Sequence, residues 1–111
     1  MIWVKVLSKQ EIEREDFVQM VKAINRKICV IKKDEKFYAI QNTCPHAGGI
    51  LSGGWCKEGN IVCPIHRYEY NLNTGRGAEG QGDYIEIYPT ALRADGLYVG
   101  IKQGWFKKLF S

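Results

Sequence analysis

The feature that most constrains this chain is a pair of short boxes, each holding one cysteine and one histidine. The first box is Cys44-Pro45-His46 and the second is Cys63-Pro64-Ile65-His66, with residues 47–62 between them. A cysteine thiolate is a soft, anionic metal ligand, whereas a histidine imidazole is a neutral one. The two boxes therefore predict a metal centre with two kinds of ligand, which the fold must bring together.

Boxes of this kind suit a 2Fe–2S cluster in which one iron takes two cysteines and the other takes two histidines. The neutral imidazoles leave such a cluster less negative than an all-cysteine cluster, which raises its reduction potential. We therefore assign Cys44, His46, Cys63 and His66 as the candidate cluster ligands.

The residues around the boxes resemble those of the Rieske family. Segment 44–54 is similar to the C-x-H-x-G-x-x-L-S-x-G box of Rieske-type ferredoxins, and segment 63–75 is similar to their C-P-x-H-x-x-x-F-D-x-x-T-G box. Tyr88-Pro89 and segment 94–99 resemble the closing hairpin of the family, so the resemblance runs from about Phe37 to Ile101. It implies a mostly β fold, a small antiparallel sandwich with a cluster-binding lobe at about 42–75, and one 2Fe–2S cluster per chain.

The resemblance also implies a function. A chain of the soluble ferredoxin branch is expected to carry single electrons, as a ferredoxin or as the electron-transfer subunit of an oxidoreductase or oxygenase system. Its expected partners are a reductase and an oxygenase or another redox protein. The small subunit of a nitrite reductase-type complex is an alternative. An oxygenase needs a further iron on two more histidines and a carboxylate, and both histidines of this chain lie in the boxes.

A zinc-stabilised binding module is the alternative from another class. Structural zinc sites usually place a cysteine pair first and a histidine pair later, an order that the mixed boxes do not follow. The other two cysteines need no metal. Cys29 lies in an apolar run and Cys56 has no histidine at box spacing, so we expect both to be small core residues.

Departures from the family patterns bear on the cluster's potential. High-potential Rieske proteins carry a disulfide between two further cysteines, and the corresponding positions here are Gly49 and Ile65. They also carry a serine where this chain has Tyr68. Tyr70 has two open interpretations. Its hydroxyl could donate to a thiolate sulfur, which would stabilise the reduced cluster, or its ring could be a core aromatic.

Composition excludes some other functions. The 111 residues predict a single domain, 1–111, and 45% hydrophobic content supports a modest core. The net charge of +4 is spread along the chain, so nucleic-acid binding is not indicated. No apolar run has the length of a transmembrane segment, and the N-terminus lacks a signal core. We expect a cytoplasmic protein with reduced cysteines.

Short apolar segments bounded by polar turns predict the secondary structure. Ser8 and Glu11 predict a capped helix, and turns are expected at Asn25-Arg26, Lys33–Glu35 and Leu72–Gly75. Residues 75–83 hold four glycines and no proline, which predicts a flexible loop. Segment 104–111 is an aromatic and basic tail that suits docking to a partner or folding back on the sheet. The strands are predicted at Ile2–Val6, Phe17–Ile24, Lys27–Lys32, Phe37–Gln41, Ile61–Val62, Tyr68–Leu72, Tyr84–Tyr88 and Leu97–Ile101.

Overall fold

The computed structural model describes residues 1–46 and 48–102, and they form antiparallel strands with one short α-helix and one short 3-10 helix. The predicted tail, 104–111, lies outside the described residues. No helix in the described part of the chain is long and apolar enough to cross a membrane. The strands are β1 (Ile2–Ser8), β2 (Phe17–Ala23), β3 (Arg26–Lys33), β4 (Lys36–Gln41), β5 (Trp55–Lys57), β6 (Asn60–Val62), β7 (Glu69–Asn71), β8 (Ile87–Tyr88), β9 (Thr90–Arg93) and β10 (Gly96–Ile101), and the α-helix is α1 (Lys9–Ile12).

Three sheets organise these strands, with the orders β1-β10-β9, β2-β3-β4-β8 and β5-β6-β7. All pairings are antiparallel. This confirms the mostly β, antiparallel fold. The sheet β5-β6-β7 lies within the predicted lobe at 42–75, and the first box follows β4 while the second box connects β6 to β7. The two boxes therefore lie on loops at strand ends.

The capping box at the start of α1 is confirmed. The Ser8 hydroxyl accepts a hydrogen bond from the Glu11 amide at 3.2 Å, and the Glu11 carboxylate accepts one from the Ser8 amide at 2.9 Å. Two amides at the helix N-terminus, which have no partner inside the helix, are satisfied in this way. The hydrogen bond from Ser8 also lowers the pKa of the Glu11 carboxyl group.

Two details of the hairpin predictions differ from the structure. The turn between β2 and β3 lies at Ile24-Asn25, not at Asn25-Arg26, because Arg26 pairs with Ala23 and already belongs to β3. The polar turn before β4 is confirmed, with both Asp34 and Glu35 in the left-handed region at φ of 51° and 65°.

The predicted strand Tyr84–Tyr88 is too long, since only Ile87–Tyr88 is a strand. The backbone amides of the two residues before this strand form hydrogen bonds with other segments of the chain. The Ile85 amide donates to the Gly75 carbonyl at 2.7 Å, and the Glu86 amide donates to the side chain of Gln41 at 2.7 Å. The strands β5 and β9 were not predicted, since they have only three and four residues and none of these residues is fully buried.

The buried side chains form two hydrophobic clusters. One lies between the β1-β10-β9 sheet and the β2-β3-β4-β8 sheet and includes Leu7, Val30 and Val99. The other includes Leu51 and Ile61 and extends to Cys44 and Cys63 of the two boxes. Two of the candidate ligands are thus part of a hydrophobic core, which anchors the box loops to the rest of the fold.

The other two cysteines pack in or against this second cluster. Cys29 is fully buried, which confirms its expected place in the core. Cys56 is half-buried and packs against the same cluster. Burial raises the pKa of both thiols, that of Cys29 to about 12.

Candidate metal centre

The two box loops close in the same way. In the first box the Cys44 amide donates to the Gly49 carbonyl at 2.7 Å, and in the second the Cys63 amide donates to the Tyr68 carbonyl at 2.7 Å. In each box the partner is five residues beyond the cysteine. In the second box, His66 and Arg67 both have left-handed backbone conformations, with φ of 60° and 57°. Such conformations are costly for residues other than glycine and cluster at functional sites.

The closed loops bring the four candidate ligands together as two pairs. Cys44 and Cys63 are both buried, and the Cys44 thiol is near enough to raise the pKa of the Cys63 thiol. His46 and His66 are exposed, with ring centroids 5.7 Å apart and planes inclined at 59°. The site therefore has a buried sulfur side and an exposed imidazole side.

The Cys63 thiol lies in an environment with opposing effects on its pKa. Burial raises the pKa, and the neighbouring Cys44 thiol raises it further. The backbone amide of Ile65 hydrogen-bonds to the Cys63 side chain and acts in the opposite direction. An amide that donates to sulfur stabilises negative charge there, which is the kind of contact that tunes iron–sulfur centres.

Tyr68 has a role that the sequence did not reveal. Its ring stacks on the His46 imidazole, with centroids 3.9 Å apart and an interplanar angle of 6°. Because Tyr68 belongs to the second box and His46 to the first, the stack links the two loops. It also fixes the plane of one candidate ligand. Two aromatic residues follow His66 closely in sequence, but their spacing does not say which of them meets the imidazole.

The boxes pack too closely at Gly49 for any side chain there. A Cβ atom at this position would lie 2.8 Å from Cys63 Sγ and 3.2 Å from Ile65 Cδ1. Gly49 is thus wedged between the first box and the cysteine of the second. The same contacts show that positions 49 and 65, where the high-potential proteins carry their disulfide, are neighbours in this fold.

Tyr70 is a core aromatic residue whose hydroxyl group also lies beside a candidate ligand. Its ring is fully buried in the second hydrophobic cluster, and its hydroxyl oxygen lies 3.4 Å from Cys44 Sγ. The hydroxyl also donates a hydrogen bond to Asp83 Oδ2 at 2.8 Å. Burial, with Cys44 and Asp83 nearby, raises the pKa of Tyr70, so the phenol keeps its proton. No sequence signal pointed to Asp83.

The glycine-rich loop 75–83 is joined to β7 by side-chain hydrogen bonds. The Gln81 side chain accepts a hydrogen bond from the Glu69 amide at 3.0 Å and donates one to the Glu69 carbonyl at 3.1 Å. The Gly77 amide donates to the Asp83 carbonyl at 2.9 Å. These bonds place the loop beside the Tyr70 hydroxyl.

Exposed apolar side chains lie on and next to the loops that carry the histidines. Ile50 and Ile65, from the two boxes, are 52% and 43% exposed, and Trp55 is 42% exposed. The Arg67 guanidinium lies over the Trp55 ring, 5.7 Å from its centroid. We call these four residues the rim. An apolar surface with one cation beside exposed imidazoles is suited to contact with another protein.

The residues fit a 2Fe–2S cluster by the chemistry of their donor atoms. Two buried thiols and two exposed imidazoles supply two ligands for each of two irons. Within residues 1–46 and 48–102, no three His, Cys, Asp or Glu side chains are grouped as ligands of a single metal ion. A Rieske cluster calls for pairs of protein ligands, and pairs are what the boxes present.

Curated relatives include ferredoxin components of dioxygenase systems. The ferredoxin component of the naphthalene 1,2-dioxygenase system of Pseudomonas aeruginosa is 27% identical over 100 residues, covering 89% of this chain and 95% of the relative. Human apoptosis-inducing factor 3 is 28% identical over 74 residues, 66% of this chain, and the chain spans only 12% of that protein's length.

The fold also matches solved structures. A complex of reduced oxygenase and oxidized ferredoxin in carbazole 1,9a-dioxygenase contains a chain that is 25% identical, with a TM-score of 0.77. The match covers 89% of this chain and 93% of that one. The model of the Rieske [2Fe-2S] domain matches residues 2–89, which include both boxes. This chain therefore belongs to the Rieske family, whose members carry a 2Fe–2S cluster.

Proposed function

We propose that this chain is a one-electron carrier, a ferredoxin or the electron-transfer subunit of an oxidoreductase or oxygenase system, and not an enzyme by itself. The observation that carries the proposal is the pairing of two buried thiols with two exposed imidazoles on the box loops. When bound, the 2Fe–2S cluster supplies a site that accepts and releases one electron.

The proposed ligands are Cys44, His46, Cys63 and His66. The buried cysteines keep water away from the sulfur side of the site. The exposed histidines, with Tyr68 stacked on one of them, leave the imidazole side open to a docked protein. Electrons would then enter and leave through the imidazole side.

We propose a reductase as the electron donor and an oxygenase or another redox protein as the acceptor. Support comes from the relative that is a component of a dioxygenase system and from the solved complex of an oxygenase with a ferredoxin. The rim of Ile50, Trp55, Ile65 and Arg67 is the proposed docking surface. The tail, 104–111, is a proposed second contact that rests on its sequence alone.

Reductive titration tests the electron-carrier function. The purified chain should take up about one electron and show a midpoint in the lower half of the Rieske range of about −150 to +300 mV. The physical reason is that Gly49 and Ile65 replace the disulfide and Tyr68 replaces the serine hydroxyl of the high-potential proteins. A midpoint in the upper half would show that these replacements do not set the potential.

The charge of Arg67 should steer the docking partner. If the partner presents an acidic patch, Arg67→Glu should slow electron transfer by about tenfold or more at low salt, within the range over which steering changes association rates. The deficit should shrink as salt is added, because ions screen the charge. Stopped-flow rates with the physiological partner, measured across ionic strength, give the comparison.

Arg93→Glu is the matched control for that measurement. Arg93 is also exposed and also lies over aromatic rings, those of Trp3 and Tyr98, but it ends β9 in a different sheet. The charge change is the same, so a general effect of net charge would slow both variants equally. Equal rates for Arg67→Glu and wild type at low salt would refute the docking role of Arg67.

The alternative function for this chain is that of the small subunit of a nitrite reductase-type complex. The partner that co-purifies with the chain distinguishes this alternative from an oxygenase system.

We also propose a cytoplasmic location and a single domain, 1–111. The location is supported by the free thiols of Cys29 and Cys56, which suit a reducing compartment.

A further inference from the structure

Tyr70 has one hydroxyl proton and two neighbours that can accept it. Cys44 Sγ lies 3.4 Å from the hydroxyl oxygen, and Asp83 Oδ2 lies 2.8 Å from it. A phenol donates only one hydrogen bond through its O–H. The direction of this proton therefore decides whether the sulfur receives a hydrogen bond or instead faces the oxygen lone pairs.

The geometry favours Asp83 as the acceptor. A carboxylate forms a short, charge-assisted hydrogen bond with a hydroxyl, about twice as strong as one between neutral groups. Asp83 is held in position by its neighbours, since its Oδ1 accepts a hydrogen bond from Gln81 Nε2 at 3.3 Å. The Gln81 amide is itself oriented by both backbone groups of Glu69.

We propose that Asp83 is a positioning residue that keeps the Tyr70 proton away from the Cys44 sulfur and thereby lowers the reduction potential. The proposal rests on the proposed function, in which Cys44 is a cluster ligand. A hydrogen bond to a ligand sulfur stabilises the more negative, reduced cluster. By withholding that bond, and by its own charge, Asp83 favours the oxidised cluster.

The orientation of Gln81 predicts what asparagine would do at position 83. Gln81 Nε2 is a donor, so it would select the oxygen of the new amide and leave the Nδ2 group facing Tyr70. That amide nitrogen donates but does not accept. The Tyr70 proton would then turn to Cys44 Sγ, its other neighbour. Asp83→Asn thus removes a charge and redirects a hydrogen bond in one substitution.

A double-mutant cycle on the cluster-loaded protein separates these two effects. The potentials of wild type, Asp83→Asn, Tyr70→Phe and the double variant are measured by film voltammetry. Asp83→Asn should raise the potential. In the Asp83→Asn background, Tyr70→Phe should lower the potential by at least about twice as much as it changes the potential in wild type, because members of one hydrogen-bond network couple in such a cycle. The difference in potential between the double variant and Tyr70→Phe gives the effect of the Asp83 charge alone, because both proteins lack the hydroxyl group.

A second readout follows the proton itself. In the reduced protein, hydrogen–deuterium exchange combined with electron-nuclear double resonance should show an exchangeable proton more strongly coupled to the cluster in Asp83→Asn than in wild type. That signal should disappear when Tyr70 is also replaced by phenylalanine. Neither result is expected if Asp83 serves only to hold the loop in place.

Asp95→Asn is the matched control. The Tyr98 hydroxyl donates to Asp95 Oδ2 at 2.8 Å, the same pair of groups at the same distance, on the β9–β10 turn outside the box loops. This variant should leave the potential near that of wild type. A shift as large as that of Asp83→Asn would mean that net charge alone explains the result.

Additive effects of Asp83→Asn and Tyr70→Phe would overturn the proposal. So would a large drop in potential for Tyr70→Phe in otherwise wild-type protein, a comparison that does not depend on the folding of Asp83→Asn. In both cases the cluster is present and the electron-carrier function stands. If instead Cys44→Ser keeps its full iron content, then the ligand assignment fails, and this proposal fails with it.

Discussion

Cys44→Ser and Cys63→Ser should each yield protein that has lost most of its iron and most of its visible absorption. Each substitution removes a soft, anionic ligand from the iron that depends on both cysteines. The two thiols are buried in the same hydrophobic cluster. His46→Ala and His66→Ala should lose the cluster as well. Iron content and visible spectra of the anaerobically purified variants measure the loss.

Cys56→Ser is the matched control for the cysteine variants. Cys56 is half-buried and contacts the same hydrophobic cluster, but it lies on β5 outside both boxes. Its replacement should leave the iron content at the wild-type level. An iron loss in Cys56→Ser as large as that in Cys44→Ser would contradict the assignment of the ligands to the boxes.

Gly49→Ala should weaken the cluster site even though it changes no ligand. The new Cβ would lie 2.8 Å from Cys63 Sγ, closer than such atoms normally approach, so the proposed ligand or the first box must shift. Overpacking of this kind costs about 1–3 kcal/mol, which corresponds to a change of about fivefold to 160-fold in an equilibrium constant. We expect cluster loss in the presence of a chelator to be faster by about that factor. The decay of visible absorption measures it.

Gly53→Ala provides the comparison within the same segment of chain. Gly53 lies in the short 3-10 helix Leu51–Gly53, and the nearest atom to an added Cβ is Pro64 Cγ at 4.0 Å. This contact is an ordinary one, so the variant should hold its cluster as wild type does. If Gly49→Ala also holds its cluster at the wild-type rate, then the close approach at Gly49 does not matter to the site.

The two boxes indicated which residues of the candidate site lie together in the structure. Cys44, His46, Cys63 and His66 meet because each box is a short loop at a strand end, and a loop of this kind is closed by local hydrogen bonds that its own residues supply. The expected fold followed from alternating apolar segments and polar turns, and the family match to residues 2–89 agrees with it. These features depend on residues that are near one another in the chain.

Contacts between distant segments were not predictable in the same way. The stack of Tyr68 on His46 and the bond from Tyr70 to Asp83 join residues whose spacing carries no signal. The excess length of the strand predicted at Tyr84–Tyr88 has the same origin. Backbone groups of Ile85 and Glu86 bond to Gly75 and to the Gln41 side chain, and an apolar pattern alone does not reveal such partners.

Metal and sulfide analysis of the wild-type protein tests the central claim most directly. After anaerobic purification, the chain should contain about two irons and about two labile sulfides, with little zinc, because a Rieske 2Fe–2S cluster is bound by two cysteines and two histidines. Stoichiometric zinc with no labile sulfide would contradict the account, since it would mean that the boxes hold a structural metal ion and not an electron-transfer cluster.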